Sequence, residues 1–256
     1  MSEELKISGV VITFNEEENI EECLQSLLDV VDEIIVVDSF STDQTKAIAA
    51  KYGVKFIEHA FEGHIQQKNY AINQANNDWV LSLDADERLS GNLQAIIKLL
   101  KKDGTKADCY RFNRLNNYCG KWIKHCGWYP DSKIRLWNKQ KGRWGGVNPH
   151  DTVVMDTGTT VKAIKADILH YTYRSIAQHV LQIDKFTTIA AKESHRKGKK
   201  VIFMWHMVLY PFWFFVQKYF LKFGFLDGQY GFLVCISGAY YKYLKYAKLY
   251  ILNKRA

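Results

Sequence analysis

The first hundred residues alternate apolar runs of strand length with segments of helical spacing, and nothing else in the chain restricts its fold as tightly. Ile7 to Thr13, Ile34 to Val37, Val54 to Ile57 and Trp79 to Leu83 are bounded apolar runs, which reads as four buried strands. Between them, Ile20, Cys23, Leu24, Leu27, Leu28 and Val31 fall on one helical face. Asn15 with Glu18, and Ser41 with Gln44, have the spacing of capping boxes, so helices are expected from about Glu16 and from Ser41 to about Tyr52. Further helices are expected over 66–76 and 93–100. This order predicts an α/β, doubly wound, mainly parallel sheet with right-handed crossovers.

The fourth run ends in Asp84-Ala85-Asp86-Glu87. Open α/β sheets bind ligands at the carboxyl ends of their strands. Two carboxylates separated by one small residue are costly there unless a cation or proton neutralises them. Hard divalent cations take carboxylate oxygens and share their shell with substrate phosphates, so a metal–diphosphate site is one reading. A solvated acidic turn is the other.

Beyond residue 105 the pattern loosens. Short strands are expected at 109–113, 134–138 and 161–168, and Gly142-Arg143-Trp144-Gly145-Gly146 reads as a loop. Residues 175–197 read as a helix ending in a basic cluster. Residues 201–216 carry no formal charge but are short for a spanning helix, and Pro211 should kink them. Residues 228–252 form a helix dense in Tyr, Phe and Lys, a composition suited to a bilayer headgroup region. Packing on the core or in a dimer is the alternative for both segments.

The net charge of +8 is uneven, with much of the acid before residue 100 and most of the Lys, Arg, Trp and Tyr after it. That points to an anionic partner. Zinc-finger, RRM and basic-zipper patterns are all lacking, so nucleic acid ranks behind phospholipid and phosphorylated glycan. The 5 Cys lack CxxC spacing, which favours reduced thiols, and the acidic N-terminal stretch has no apolar signal core, so a cytoplasmic location is expected.

Four segments together resemble the nucleotide-sugar half of family 2 glycosyltransferases, which have the GT-A fold: Thr13-Phe14-Asn15-Glu16, Asp38-Ser39-Phe40-Ser41-Thr42-Asp43, Gln67-Lys68-Asn69-Tyr70-Ala71 and Asp84-Ala85-Asp86. The resemblance covers at least residues 7–102. It implies that Thr13, Phe14, Asn15, Glu16 and Asp38 lie around the donor nucleotide, with Phe14 able to stack on uracil. By the same resemblance Lys68 approaches the diphosphate, Asp84 contacts ribose or a metal-bound water, and Asp86 holds Mn²⁺ or Mg²⁺. Asn15 read alone is equally an N-cap, Asp43 a turn or helix-start residue, and Lys68 a surface lysine. Ser39 and Phe40 depart from the family's usual Asp-Gly at those places, which implies a stiffer loop.

Trp144-Gly145-Gly146-Val147-Asn148-Pro149-His150-Asp151 resembles a segment of lipopolysaccharide-core transferases in this family, generally β-1,4-glucosyltransferases. It implies Asp151 as the general base of an inverting transfer, with Arg135 and His150 as possible acceptor or phosphate contacts. His170 corresponds to a histidine that completes the metal site in many GT-A enzymes. The implied organisation is a nucleotide-sugar half (1–105), an acceptor and catalytic half (106–198) and a helical, membrane-associating tail (199–256).

The expected activity is therefore an inverting transfer of a hexose, glucose by resemblance, from a UDP-sugar. The acceptor would be a lipopolysaccharide-core or other lipid-linked glycan at the inner face of the cell membrane, reached by peripheral contact. Two rivals stand beside this reading. A nucleotidyltransferase is disfavoured because the loop Phe14-Asn15-Glu16-Glu17-Glu18 is acidic and lacks glycine. A non-catalytic nucleotide- or glycan-binding membrane-surface module would have no need of Asp84, Asp86 and Asp151 together.

Overall fold

The computed structural model describes residues 4–147 and 150–255, with His150 and Arg255 described by backbone alone. It contains two compact units. The first comprises the chain up to Arg114 together with Asp131–His170; the second comprises Leu115–Pro130 and the chain from Tyr171 onward.

The first unit holds the expected parallel sheet. Strands β1 (Ile7–Thr13), β2 (Glu33–Asp38), β3 (Lys55–Glu58) and β4 (Trp79–Asp84) lie in the order β3-β2-β1-β4, all parallel. The register pairs Thr13 with Asp38 and Ile12 with Asp84, so three strand ends finish level at one edge. The rest of the sheet is antiparallel where its pairings are defined. Strand β8 (Asp131–Asn138) pairs with β4 and with β6 (Cys109–Tyr118), the end of β6 pairs with β7 (Lys121–Ile123), and β5 (Glu87–Leu89) pairs with β11 (Val161–Tyr173). Both faces of the parallel part are covered, which is why its strands read as continuous apolar runs rather than alternating ones. Ile7, Val11 and Val36 pack under α1 (Ile20–Leu27), α2 (Thr45–Ala49) and α4 (Gly91–Asp103). Val10, Ile35, Val37 and Val80 face α3 (His64–Asn73) and Trp137 on the other side. Leu24, Leu27 and Leu93 are fully buried, and each such side chain contributes roughly 1.5–3 kcal/mol.

Neither capping box forms. Helix α1 starts at Ile20, and its N-cap Asn19 makes no side-chain cap bond; α2 starts at Thr45. Asn15 and Ser41 instead bond to each other's loops, as described below. The stretch 142–146 is also not a loop. Gly142–Val147 is strand β9, paired antiparallel with β10 (His150–Met155). Its glycines serve close approach: a Cβ on Gly142 would lie 2.5 Å from Met155 Sδ, and one on Gly145 would lie 2.9 Å from Val154 Cγ2.

The second unit is mainly helical. Helix α5 (Ile176–Arg196) is capped by Ser175, whose hydroxyl accepts from Gln178 N. Pro211 falls in the first turn of α6 (Tyr210–Val216), immediately after a wide π turn at Trp205–Leu209. The widened turn directly precedes this residue without an N–H, at the place where the sequence predicts a kink. A second π turn at Gln217–Leu221 and a tight turn at Gly224–Asp227 lead into α7 (Gly228–Arg255). Gly231 lets α7 meet that turn, since a Cβ there would lie 1.9 Å from Gly224 O. The core of this unit includes Tyr118, Ile123, Cys126, Val234 and Cys235. Among the described residues, no helix is long and apolar enough to cross a membrane.

Candidate active site

At the level edge of the parallel sheet, the loops after β1 and β2 are laced together by side chain–backbone bonds. Asn15 N donates to Ser41 Oγ at 2.7 Å, and Asn15 Oδ1 accepts from Thr42 N at 2.8 Å. Glu16 N donates to Thr45 Oγ1 at 2.8 Å, and Glu17 N donates to Asp43 Oδ2 at 3.0 Å. Asp38 is buried and accepts from both the backbone N–H and the hydroxyl of Ser41. Asp43 also accepts from Thr45 N; burial acts to raise its carboxyl, but these bonds prevail and hold it below the usual range. Asx and hydroxyl side chains readily make such local bonds, and here the bonds join two loops instead of capping two helices.

Phe40 sits at φ +60°, a left-handed conformation that glycine adopts freely and a bulky side chain adopts only when its surroundings impose it. Phe14 and Phe40 are both more than half exposed at this edge. Thr13 Oγ1 is buried without a hydrogen-bond partner among the described residues. Thr13, Phe14, Asn15, Glu16 and Asp38 are thus gathered on two adjacent strand ends.

A cavity of about 340 Å³ opens beside the end of β4, lined by Lys68, Asp84, Arg114, Arg135, Trp144 and Asp151, among others. Lys68 is almost fully buried. Its Nζ lies 2.7 Å from Asp151 Oδ2 and 2.9 Å from Asp84 Oδ1, and 4.3 Å from the centre of the Trp144 ring. Arg135 Nη2 lies 2.6 Å from Glu87 Oε1 and 3.4 Å from Asp84 Oδ2. Arg114 continues the chain of charges, 3.4 Å from Glu87 and 2.7 Å from Asp131. Acids and bases therefore alternate from Asp151 to Asp131. Burial acts to raise the Asp84 carboxyl, but the charges of Lys68 and Arg135 outweigh it and hold the group far below the usual carboxylate range. Burial likewise acts to lower the Arg135 guanidinium, and Glu87 and Asp84 more than reverse it. The cation that Asp84 requires is thus supplied from within the chain. Two buried donors on this cavity, Arg135 Nε and Trp144 Nε1, have no partner among the described residues. Unpaired buried donors are costly, and a polar ligand would satisfy them.

Asp86, two residues on, belongs to a different pair. His170 Nε2 lies 3.1 Å from Asp86 Oδ2, brought there because β11 pairs with β5 and sets His170 opposite Glu87. Among the described residues, no three His, Cys, Asp or Glu side chains gather into a metal cluster. A carboxylate oxygen with an imidazole nitrogen does fit a hard divalent ion that takes its other ligands from substrate phosphates and water.

Of the residues singled out in the sequence, Lys68, Asp84, Arg135 and Asp151 share one cavity, and Asp86 and His170 form one pair. His150 lies outside what is described of side chains. The sequence reading missed Glu87, Arg114 and Asp131 as charge partners. Glu87 stood in the same acidic triplet, but its full burial has no local signature.

Comparison with known proteins gives concordant results. The model of the family described as glycosyl transferase family 2 matches residues 8–165. An uncharacterized glycosyltransferase of Rickettsia typhi is 33% identical over 254 residues, spanning 95% of this chain and 86% of its own. The lipopolysaccharide core biosynthesis glycosyltransferase LpsC of Rhizobium meliloti is 28% identical over 261 residues, spanning 98% of this chain and 94% of its own. Among solved structures, a mannosyltransferase from Pyrobaculum calidifontis, in complex with GDP-Man and Mn²⁺, superposes with a TM-score of 0.56 at 13% identity. That match covers 97% of this chain and 88% of the other, and at this identity it speaks for the fold alone. The sheet order, the acidic strand end and the family match agree: this chain is a GT-A-fold glycosyltransferase of family 2.

Proposed function

We propose that the enzyme moves a hexose from a UDP-sugar, with inversion, to a lipopolysaccharide-core or other lipid-linked glycan. The observation that carries this reading is the convergence of Asp151, Lys68, Asp84 and Arg135 on one cavity beside the Asp86–His170 pair.

The proposed roles follow from that arrangement. Thr13, Phe14, Asn15, Glu16 and Asp38 bind the nucleoside, with the exposed Phe14 ring offered to the base. Asp84 receives the ribose side of the donor, and Lys68 and Arg135 present positive charge to phosphate or acceptor oxygens. Asp86 and His170 would hold Mn²⁺ or Mg²⁺. When bound, that ion supplies electrostatic stabilisation of the charge on departing UDP. Asp151 accepts the proton of the attacking acceptor hydroxyl. The hydroxyl oxygen bonds to the anomeric carbon, and the bond to the diphosphate breaks with its electron pair leaving on UDP. Lys68, in contact with Asp151, holds that carboxylate in place. Residues 1–105 would serve the donor and 106–198 the acceptor.

Residues 199–256 would bring the enzyme to the cytoplasmic face of the membrane. Ile202, Phe203, Trp205, Phe212, Trp213, Phe220 and Leu221 are each about half exposed or more. Aromatic and basic residues together suit the interface rather than the bilayer centre. The likeness to LpsC supports the choice of acceptor class.

The test is a transfer assay with UDP-glucose, UDP-galactose and UDP-N-acetylglucosamine against lipopolysaccharide-core acceptors, followed by ¹H NMR of the product. A new β-linked hexose made by the wild type and lost in Asp151→Asn supports the reading. Nucleotide binding without turnover on any acceptor would favour a non-catalytic binding module.

A further inference from the structure

We infer that Lys218, Lys242 and Phe214 form a phosphate-binding site for an anionic lipid, separate from the sugar-transfer cavity. The inference rests on the membrane reading above and assigns it a specific contact.

The charge inventory of the second unit comes first. Its only Asp and Glu residues are Asp184, Glu193 and Asp227, set against sixteen Lys and Arg. Each acid is already engaged: Asp184 by Lys248, Glu193 by Arg196 and Lys197, and Asp227 by His125. None of the three lies within ion-pair distance of Lys218 or Lys242 among the described residues.

Against that background two ammonium groups share one ring. Lys242 Nζ lies 5.1 Å and Lys218 Nζ 5.6 Å from the centre of Phe214. Neither makes an ion pair among the described residues. Both are only partly exposed, and Lys242 also stacks on Tyr241 at 5.4 Å. Burial, with Lys245 and Lys218 adding to it, holds the Lys242 ammonium below its ordinary range. Like charges brought together and partly desolvated raise the energy of the site, and an anion relieves it.

The arrangement is fixed from behind. Phe214 packs against Gly238, where a Cβ would come within 2.6 Å of its Cε1, and Lys242 follows one turn later on α7. Lys218 Nζ rests over Gly127, where a Cβ would lie 2.8 Å away. Two glycines thus make room for the ring and for one ammonium. Beside Gly238 opens an aromatic cavity of about 160 Å³, with Phe214, Tyr241, Tyr173 and Phe186 among its walls and Lys242 at its lining. An apolar recess beside paired cations suits an amphiphile whose phosphate meets the lysines and whose adjoining hydrocarbon enters the recess. A soluble phosphate would use only the lysines.

The test is co-sedimentation of the full-length protein with phosphatidylcholine vesicles and with vesicles containing one-third phosphatidylglycerol. The variant Lys218→Met/Lys242→Met retains the apolar stems. The charge-matched control is Lys185→Met/Lys254→Met, both exposed and neither lining the transfer cavity. Thermal melting checks that both fold. The site predicts that the first variant loses about tenfold or more in partitioning onto anionic vesicles while the control loses less than about threefold. Equal losses would mean a diffuse charge effect and overturn the site. Calorimetry with inorganic phosphate alone, showing binding at low millimolar concentration that vanishes in Lys218→Met/Lys242→Met, would overturn the lipid assignment in favour of a soluble phosphate. Failure of the wild type to bind either vesicle would overturn the membrane reading itself.

Discussion

In the first unit, Lys68, Arg114 and Arg135 each lie within ion-pair distance of at least one carboxylate, whereas in the second Lys218 and Lys242 share a phenyl ring and no acid among the described residues. The same residue types therefore do different work. Around Asp84 the charges alternate in a continuous chain that holds Asp151 and Asp84 against the buried Lys68 and Arg135. Such an arrangement suits chemistry, where a carboxylate must be aimed before substrate arrives. In the second unit the positive charge is left over, which suits attachment to something outside the chain.

If the first unit's network orients chemistry, the largest effect should come from Asp151→Asn. This change keeps the shape of the side chain, so kcat should fall by about 10²–10⁴ with UDP affinity altered less than about twofold. Steady-state kinetics beside calorimetry would check it, and a parallel loss of both would move Asp151 from the chemistry to donor binding. Next is Lys68→Met, which leaves Asp84 and Asp151 close together without their shared cation. A loss of about 3–5 kcal/mol in urea unfolding is expected, and adding Asp151→Asn should restore part of it.

The second unit should respond to pH through a neutral histidine instead of an ion pair. His179 is buried, with Nδ1 3.1 Å from Tyr118 Oη, and burial lowers its pKa to about 4. In the unfolded chain an ordinary histidine titrates near about 6.5, so between these values the unfolded state binds more protons. The stabilisation, about 3 kcal/mol, is complete above about pH 6.5 and is lost as pH falls towards 4. His179→Gln should flatten the stability profile over that window, and an unchanged slope would show that other groups set it. The smallest effect belongs to Asp43→Ala, which removes the acceptor for Thr45 N and Glu17 N. It should cost about 1 kcal/mol by thermal melting and leave the second unit's pH profile unaltered.

The parallel half of the fold was legible because burial on both faces writes itself into local sequence as unbroken apolar runs. The acidic strand end was legible for a similar reason, since Asp84 and Asp86 follow β4 directly. What escaped the sequence was decided by partners far along the chain. Asn15 and Ser41 carry the spacing of caps, yet each is used by the other's loop, 26 residues away. Gly142 to Gly146 look like a loop until Met155 and Val154 are placed opposite them. Lys68 and Asp151 lie 83 positions apart, and nothing in either neighbourhood announces their contact. Asp86 and His170 were expected together only through the family resemblance; the β5–β11 register that sets them side by side has no local signature.

If the edge formed by β1, β2 and β4 is a nucleotide-donor site completed by Asp86, UDP affinity must depend on that carboxylate and on a divalent ion. Calorimetric titration of UDP into the wild type and Asp86→Ala, with and without Mn²⁺, tests it most directly. UDP binding should strengthen with Mn²⁺ in the wild type and lose that dependence in Asp86→Ala, by about 10–100-fold in affinity. Equal UDP affinity in both proteins with Mn²⁺ present, or no UDP binding by the wild type at all, would contradict it.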